Sequence, residues 1–134
     1  MQVIIFTNDN GGVSTTIPTG EISIEAVLAK DCPKGAIIVE ASSLPADNDF
    51  YDAWELADGV VTVNLDKAKE LTKKRLRAER TPLLAAQDVL FQRALETGAD
   101  TTAIVAEKQR LRDITGLVDA VTTLEGLRAI KAGV

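Results

Sequence analysis

The spacing of apolar positions changes near residue 65, from short runs cut by turn residues to helical periodicity. Val3, Ile4, Ile5 and Phe6 form a compact apolar run that stops at Asn8-Asp9-Asn10-Gly11-Gly12, and a β-branched pattern resumes from Val13 to Ile17 before Pro18. Asn and Gly reach the positive φ angles of tight reversals, so this polar cluster predicts a β-hairpin. A short helix opened by Glu21 or Ser23 carries Ile24, Ala26, Val27 and Leu28 and is stopped by Asp31-Cys32-Pro33-Lys34-Gly35. Ala36-Ile37-Ile38-Val39 gives a third strand, ended where Pro45 withdraws a donor. The aromatic segment Phe50-Tyr51-Asp52-Ala53-Trp54 follows, and Gly59 to Val63 reads as a last strand. The order predicts a small sheet covered on one face by the short helix.

From Asp66 to Glu96 the chain is rich in Ala, Leu, Lys, Arg, Glu and Gln, with no glycine and one proline, Pro82. This predicts one long helix or two nearly continuous ones, kinked or restarted at Pro82 with Thr81 as a cap. Leu76, Leu83, Ala86, Leu90 and Ala94 fall on one stripe. Gly98 suits a helix C-terminus, and Asp100 or Thr101 a new start, so the connection predicts antiparallel helices. Ile104, Leu111, Ile114 and Val118 form the second stripe. Gly116 is expected to break or bend that helix, and Thr122-Thr123-Leu124-Glu125 to restart a terminal helix through Ile130. The prediction is an α+β protein, with a small β-rich head over residues 1–64 and a helical hairpin plus terminal helix over 65–134.

Charge sharpens the division. Residues 1–64 hold ten acidic side chains against Lys30 and Lys34, a net of −8, whereas 65–134 hold thirteen basic against ten acidic, a net of +3. Such asymmetry favours contacts between unlike surfaces, within a chain or between neighbours. The basic run Lys67, Lys69, Lys73, Lys74, Arg75, Arg77 and Arg80 is interleaved with Asp66, Glu70 and Glu79, whose spacing supports exposed ion pairs. With a whole-chain charge of −5 it reads as a solvated or protein-contacting face rather than a nucleic-acid site. Lys73, Lys74 and Arg77 are the expected contact cations, and Tyr51 and Trp54 the expected aromatic anchors, weighed against packing in the small sheet.

The remaining chemistry is sparse. The chain has one cysteine, Cys32, and no histidine, which removes the commonest general base and metal ligand. Asp31 beside Cys32 opposes thiolate formation. Asp47, Asp49 and Asp52 lack the spacing of a calcium loop and read as turn residues. Asn10-Gly11-Gly12 lacks the pattern of a phosphate loop. No nucleophile, base and metal set converges, so the expectation is a non-enzyme without cofactor or metal. The start has neither a basic n-region nor a completed apolar h-region, and no segment approaches a membrane span; a soluble intracellular product is expected.

FTNDNGGVSTTIPTGEISIEAVLAKDCPKG, SSLPADNDFYDAWEL and NLDKAKELTKKRLRAERTPLLAAQDVLFQRALETG, which cover most of the chain, resemble a group of small tailed-bacteriophage proteins encoded among tail and tail-fibre genes. The resemblance brings no catalytic motif. It implies a structural protein of the virion, made in the host cytoplasm, in the tail or at its junctions. Its partners would be tail or tail-fibre components on symmetric neighbours, and further copies of itself. The alternative it implies is a tail-fibre assembly chaperone that leaves before maturation.

Overall fold

The structure is a computed structural model describing residues 1–133; Val134, the last residue of the predicted helical region, lies outside them. It is an α+β protein: a small N-terminal β-rich part is followed by a long helix and further helices. The chain divides into two compact units, Met1–Ala68 and Lys69–Val134.

In the first unit, β1 (Gln2–Thr7) lies at the centre of a three-stranded antiparallel sheet, between β2 (Val13–Thr16) and β3 (Ile37–Glu40). A central strand covered on both faces must be apolar at successive positions, which is why Val3, Ile4 and Ile5 are all buried. Asn8 organises the β1–β2 loop. Its side-chain oxygen accepts from the Asn10 and Gly12 amides, both at 3.1 Å, and its side-chain nitrogen donates to Ser14 Oγ at 3.1 Å. Gly11 takes the positive φ of 81° that the reversal needs. Helix α1 (Ile24–Asp31) is capped by Ser23 Oγ, which accepts from the Ala26 amide, and packs on β1 and β3.

The other face of the sheet differs from the expectation. Val60 to Val63 does not join it; as β5 (Val60–Val63) it pairs with β4 (Trp54–Ala57) in a separate two-stranded sheet. The turn is Asp58-Gly59, with φ of 52° and 78°, the primed geometry whose twist suits a two-residue hairpin. Trp54 and Val61 of this hairpin close a core with Val3, Ile5 and Val13. The Asp58-Gly59 dipeptide is the sequence sign of the hairpin, whose first strand begins at Trp54, the last residue of the predicted aromatic segment.

Helix α2 (Leu65–Thr97) is 33 residues long and its first turn belongs to the first unit, where Asn64 caps it through the Lys67 amide at 3.0 Å. It runs through Pro82 as one helix, without the expected restart. Pro82 removes only the donor that would reach the Ala78 carbonyl, both residues are exposed, and strong helix formers flank the site. Thr81 is not a cap; its hydroxyl donates back to the Arg77 carbonyl at 2.9 Å. The helix ends at Gly98, φ 70°, where the Gly98 amide bonds Leu95 O and the Ala99 amide bonds Ala94 O, the paired bonds of a Schellman cap.

Helix α3 (Thr102–Asp113) has Thr101 at its N-cap position without a side-chain cap bond, and the preceding Asp100 carboxylate accepts from the Thr102 amide and hydroxyl at 3.0 and 2.7 Å. It runs antiparallel to α2. Lys108 Nζ meets Asp88 at 2.7 Å and lies 5.1 Å from the Phe91 ring centre, and Arg80 reaches the Leu111 and Arg112 carbonyls. The stretch Ile114–Ala120, containing Gly116, tightens to 3-10 geometry two residues before the predicted break. Helix α4 (Leu124–Ala129) is capped by Thr123.

The core of this unit contains Leu76, Ala94, Leu111, Ile114, Val118, Leu127 and Ala132. Of the predicted α2 stripe, Leu76 and Ala94 are buried and Leu83 is half-buried, but Ala86 and Leu90 are exposed, Leu90 by 44%. Helical phase does not account for this: Leu90 lies five full turns beyond Thr72, which is 1% exposed, so the stripe keeps its direction and is covered over only part of its length.

Gly126 is confined. A Cβ there would stand 2.7 Å from Val121 Cγ1 and 3.0 Å from Thr123 Oγ1. Gly126→Ala, ordinarily worth up to about 1 kcal/mol within a helix, is therefore expected to lower the unfolding midpoint in a denaturant titration. A raised midpoint would show that Val121 moves aside freely.

Candidate functional site

The predicted contact residues are placed very differently. Trp54 is 4% exposed in the core of the first unit, and its indole N–H is enclosed without a hydrogen-bond partner. Tyr51 is half-buried, its ring 4.8 Å from that of Trp54. The aromatic pair thus packs the small unit, with only Tyr51 reaching the surface.

Five of the seven cations in the basic run have internal partners. Lys67 pairs with Glu55 at 3.1 Å beside the Asn64 amide group, and the Asn64 bond together with Lys67 holds the Glu55 carboxyl below its usual range. Lys69 donates to the Asp119 carbonyl at 3.2 Å, and Lys73 pairs with the Asp119 carboxylate at 2.8 Å and with Glu70 at 3.6 Å. The Lys73 bond lowers the Asp119 pKa and raises that of Lys73. Glu70 pairs with Lys73, three residues on, and Lys73 is shared with Asp119.

Arg75 and Arg80 act on main-chain carbonyls. Arg75 donates to Leu127 O and Ile130 O at 3.1 and 2.7 Å and to Glu79 Oε2 at 2.7 Å; the other Glu79 oxygen accepts from the Ala132 amide at 3.1 Å. Arg110 donates to Glu107 at 2.6 Å and to the Ala132 carbonyl at 2.9 Å. These groups tie the segment 127–132 to α2 and α3. A planar guanidinium with several donors can serve a carboxylate and two carbonyls together, which an ammonium does less well.

Lys74 and Arg77 are left exposed, and among the described residues their side chains make no hydrogen bond or ion pair. Further along α2 and α3, Val89, Leu90, Leu95 and Val105 are 49, 44, 57 and 49% exposed near the end of the helical hairpin. Val89 borders a shallow groove of about 400 Å³ edged by Asp88, Gln92, Arg93 and Glu96. The first unit has a second groove of about 410 Å³ between the chain leaving β2 and α1, with Ile17, Ile22 and Val27 on its walls and Glu21, Lys30 and Asp31 at its rim.

Among the described residues no three His, Cys, Asp or Glu side chains form a metal-binding group. No helix there is long and apolar enough to cross a membrane. No family model matches the chain, and no curated protein or solved structure matches it.

Proposed function

We propose that this chain is a non-enzymatic structural protein of a bacteriophage virion, seated in the tail or at a tail junction, where it docks on symmetric protein neighbours. The observation that carries a docking role is the group of large aliphatic side chains turned outward at the end of the helical hairpin: Val89, Leu90, Leu95 and Val105. Single exposed aliphatics are ordinary; Val89, Leu90 and Leu95 point 100° or more apart around α2, so the support for docking is their number on this stretch of the hairpin and not one continuous patch. The long α2 helix supplies a regular face on which such contacts can repeat around a symmetry axis. The phage setting rests on the resemblance of the three quoted segments to tail-region proteins.

The test is quantitative mass spectrometry of gradient-purified particles. A structural protein is expected in a fixed ratio to the portal and tail proteins. Absence from particles together with abundance in infected cells would overturn the structural role in favour of a tail-fibre assembly chaperone.

A further inference from the structure

We infer that the groove between β2 and α1 binds the exposed basic face of α2 from a second copy of this chain, giving a head-to-tail contact. The inference refines the docking role proposed above by naming one neighbour and the two surfaces that meet.

The helix side of this contact is defined by what the basic run leaves over. Lys67, Lys69, Lys73, Arg75 and Arg80 already hold internal acceptors. Lys74 and Arg77 stand exposed one turn apart, and the next outward positions, Ala78, Thr81 and Pro82, are small and exposed. This face can approach another surface closely and presents two cations that have no partner among the described residues.

The groove has the complementary character. Its volume of about 410 Å³ suits a few side chains from one helical turn, and Ile17 and Ile22 stand 62 and 47% exposed beside it. β-Branched side chains so exposed beside a concavity are what a docking partner would cover. Glu21 and Asp31 sit at the rim, and neither has an ion pair among the described residues. Lys30 is the one cation at the rim. A cationic helix face with small side chains therefore matches the groove in charge and size, and the opposite net charges of the two regions, −8 and +3, favour contact between copies. Because the two surfaces differ, the contact is heterologous. Its repetition gives a ring or an open row according to the rotation between neighbours.

The test is sedimentation velocity on the purified full chain at low and high salt, about 25 mM against about 500 mM, which bracket weak and strong screening. Wild type is expected to associate with rising concentration at low salt and to dissociate at high salt. Lys74→Glu with Arg77→Glu, and separately Glu21→Lys with Asp31→Lys, should each raise the dissociation constant by roughly tenfold or more through like-charge opposition. Mixing the two variants should restore association, since each then supplies a surface the other matches. All four side chains are exposed, so circular dichroism should report unchanged folding. Monomeric wild type at low salt, association of either variant at wild-type strength, or failure of the mixture to associate would overturn the inference. Incorporation into particles at a fixed ratio without self-association would overturn this contact alone and leave the virion role standing.

Discussion

Leu76→Asp is expected to unfold the helical unit, whereas Leu90→Asp on the same helix should leave it folded. Leu76 is fully buried, with no exposed surface, and the core around it includes Leu111, Ile114, Val118 and Leu127. Truncation of such a leucine to alanine costs about 2–5 kcal/mol, from lost transfer energy and the cavity left behind. An unpaired carboxylate adds a desolvation cost, and together these approach the roughly 5–15 kcal/mol that stabilises a whole domain. Leu90, 44% exposed, can turn an Asp to water, so its replacement should change stability by about 1 kcal/mol or less. Far-ultraviolet circular dichroism with urea titration distinguishes the two. Equal tolerance of both substitutions would mean that Leu76 is not a core residue, and equal loss would mean that Leu90 is covered within the folded chain. If Leu90→Asp folds but fails to enter particles, the defect lies in docking.

The second large effect concerns the arginine–glutamate clamp. Arg75→Ala removes the donor of two carbonyls and leaves Glu79 holding the Ala132 amide alone. Charge-assisted hydrogen bonds contribute more than neutral ones, but Arg75 is 38% exposed and solvent screening reduces the sum, so a loss of about 1–2 kcal/mol is expected. Arg75→Lys should recover only part of it, because an ammonium does not reproduce the fork. Full recovery with lysine would reduce the clamp to simple charge attraction.

The same clamp gives a pH dependence. The Arg75 hydrogen bond, opposed by some desolvation and aided by the Ala132 amide, holds the Glu79 carboxyl below its usual range. A depressed carboxyl binds fewer protons when folded than when unfolded, so its stabilisation is complete above the unfolded pKa of about 4.3 and is lost as pH falls through the folded value. Glu107, held down by Arg110, and Asp119, held down by Lys73, act in the same direction. The unfolding midpoint of wild type should therefore fall as pH drops below about 4, and that of Glu79→Gln should fall less steeply. Equal slopes for the two proteins would show that Glu79 contributes no such linkage.

What was legible in the sequence follows the range of the interactions involved. The β1–β2 hairpin, the α1 stop, the Gly98 end of α2 and the Thr123 cap were readable because each depends on residues only a few positions apart. The β4–β5 hairpin was equally local, but the aromatic run over Phe50 to Trp54 drew attention from the Asp58-Gly59 turn. Pro82 did not restart the helix, because its local penalty is set against a long run of favourable residues on either side. The fates of Lys73, Arg75 and Arg110 were not readable, since their partners lie 46, 55 and 22 positions away and no local pattern encodes them. Periodicity therefore located the helices, while the surface available to a partner emerged only after those distant partners had claimed most of the cations.

The segment 127–132 has a practical consequence. Leu127 and Ala132 have no exposed surface, and the main chain around them is bonded to Arg75, Glu79 and Arg110. An insertion or label within that segment would press on groups that complete the helical unit, and deleting it would leave Arg75 and Arg110 with only their glutamate partners. The exposed Gly98–Asp100 connection, whose neighbours on both sides are already capped, offers a safer point for a small label.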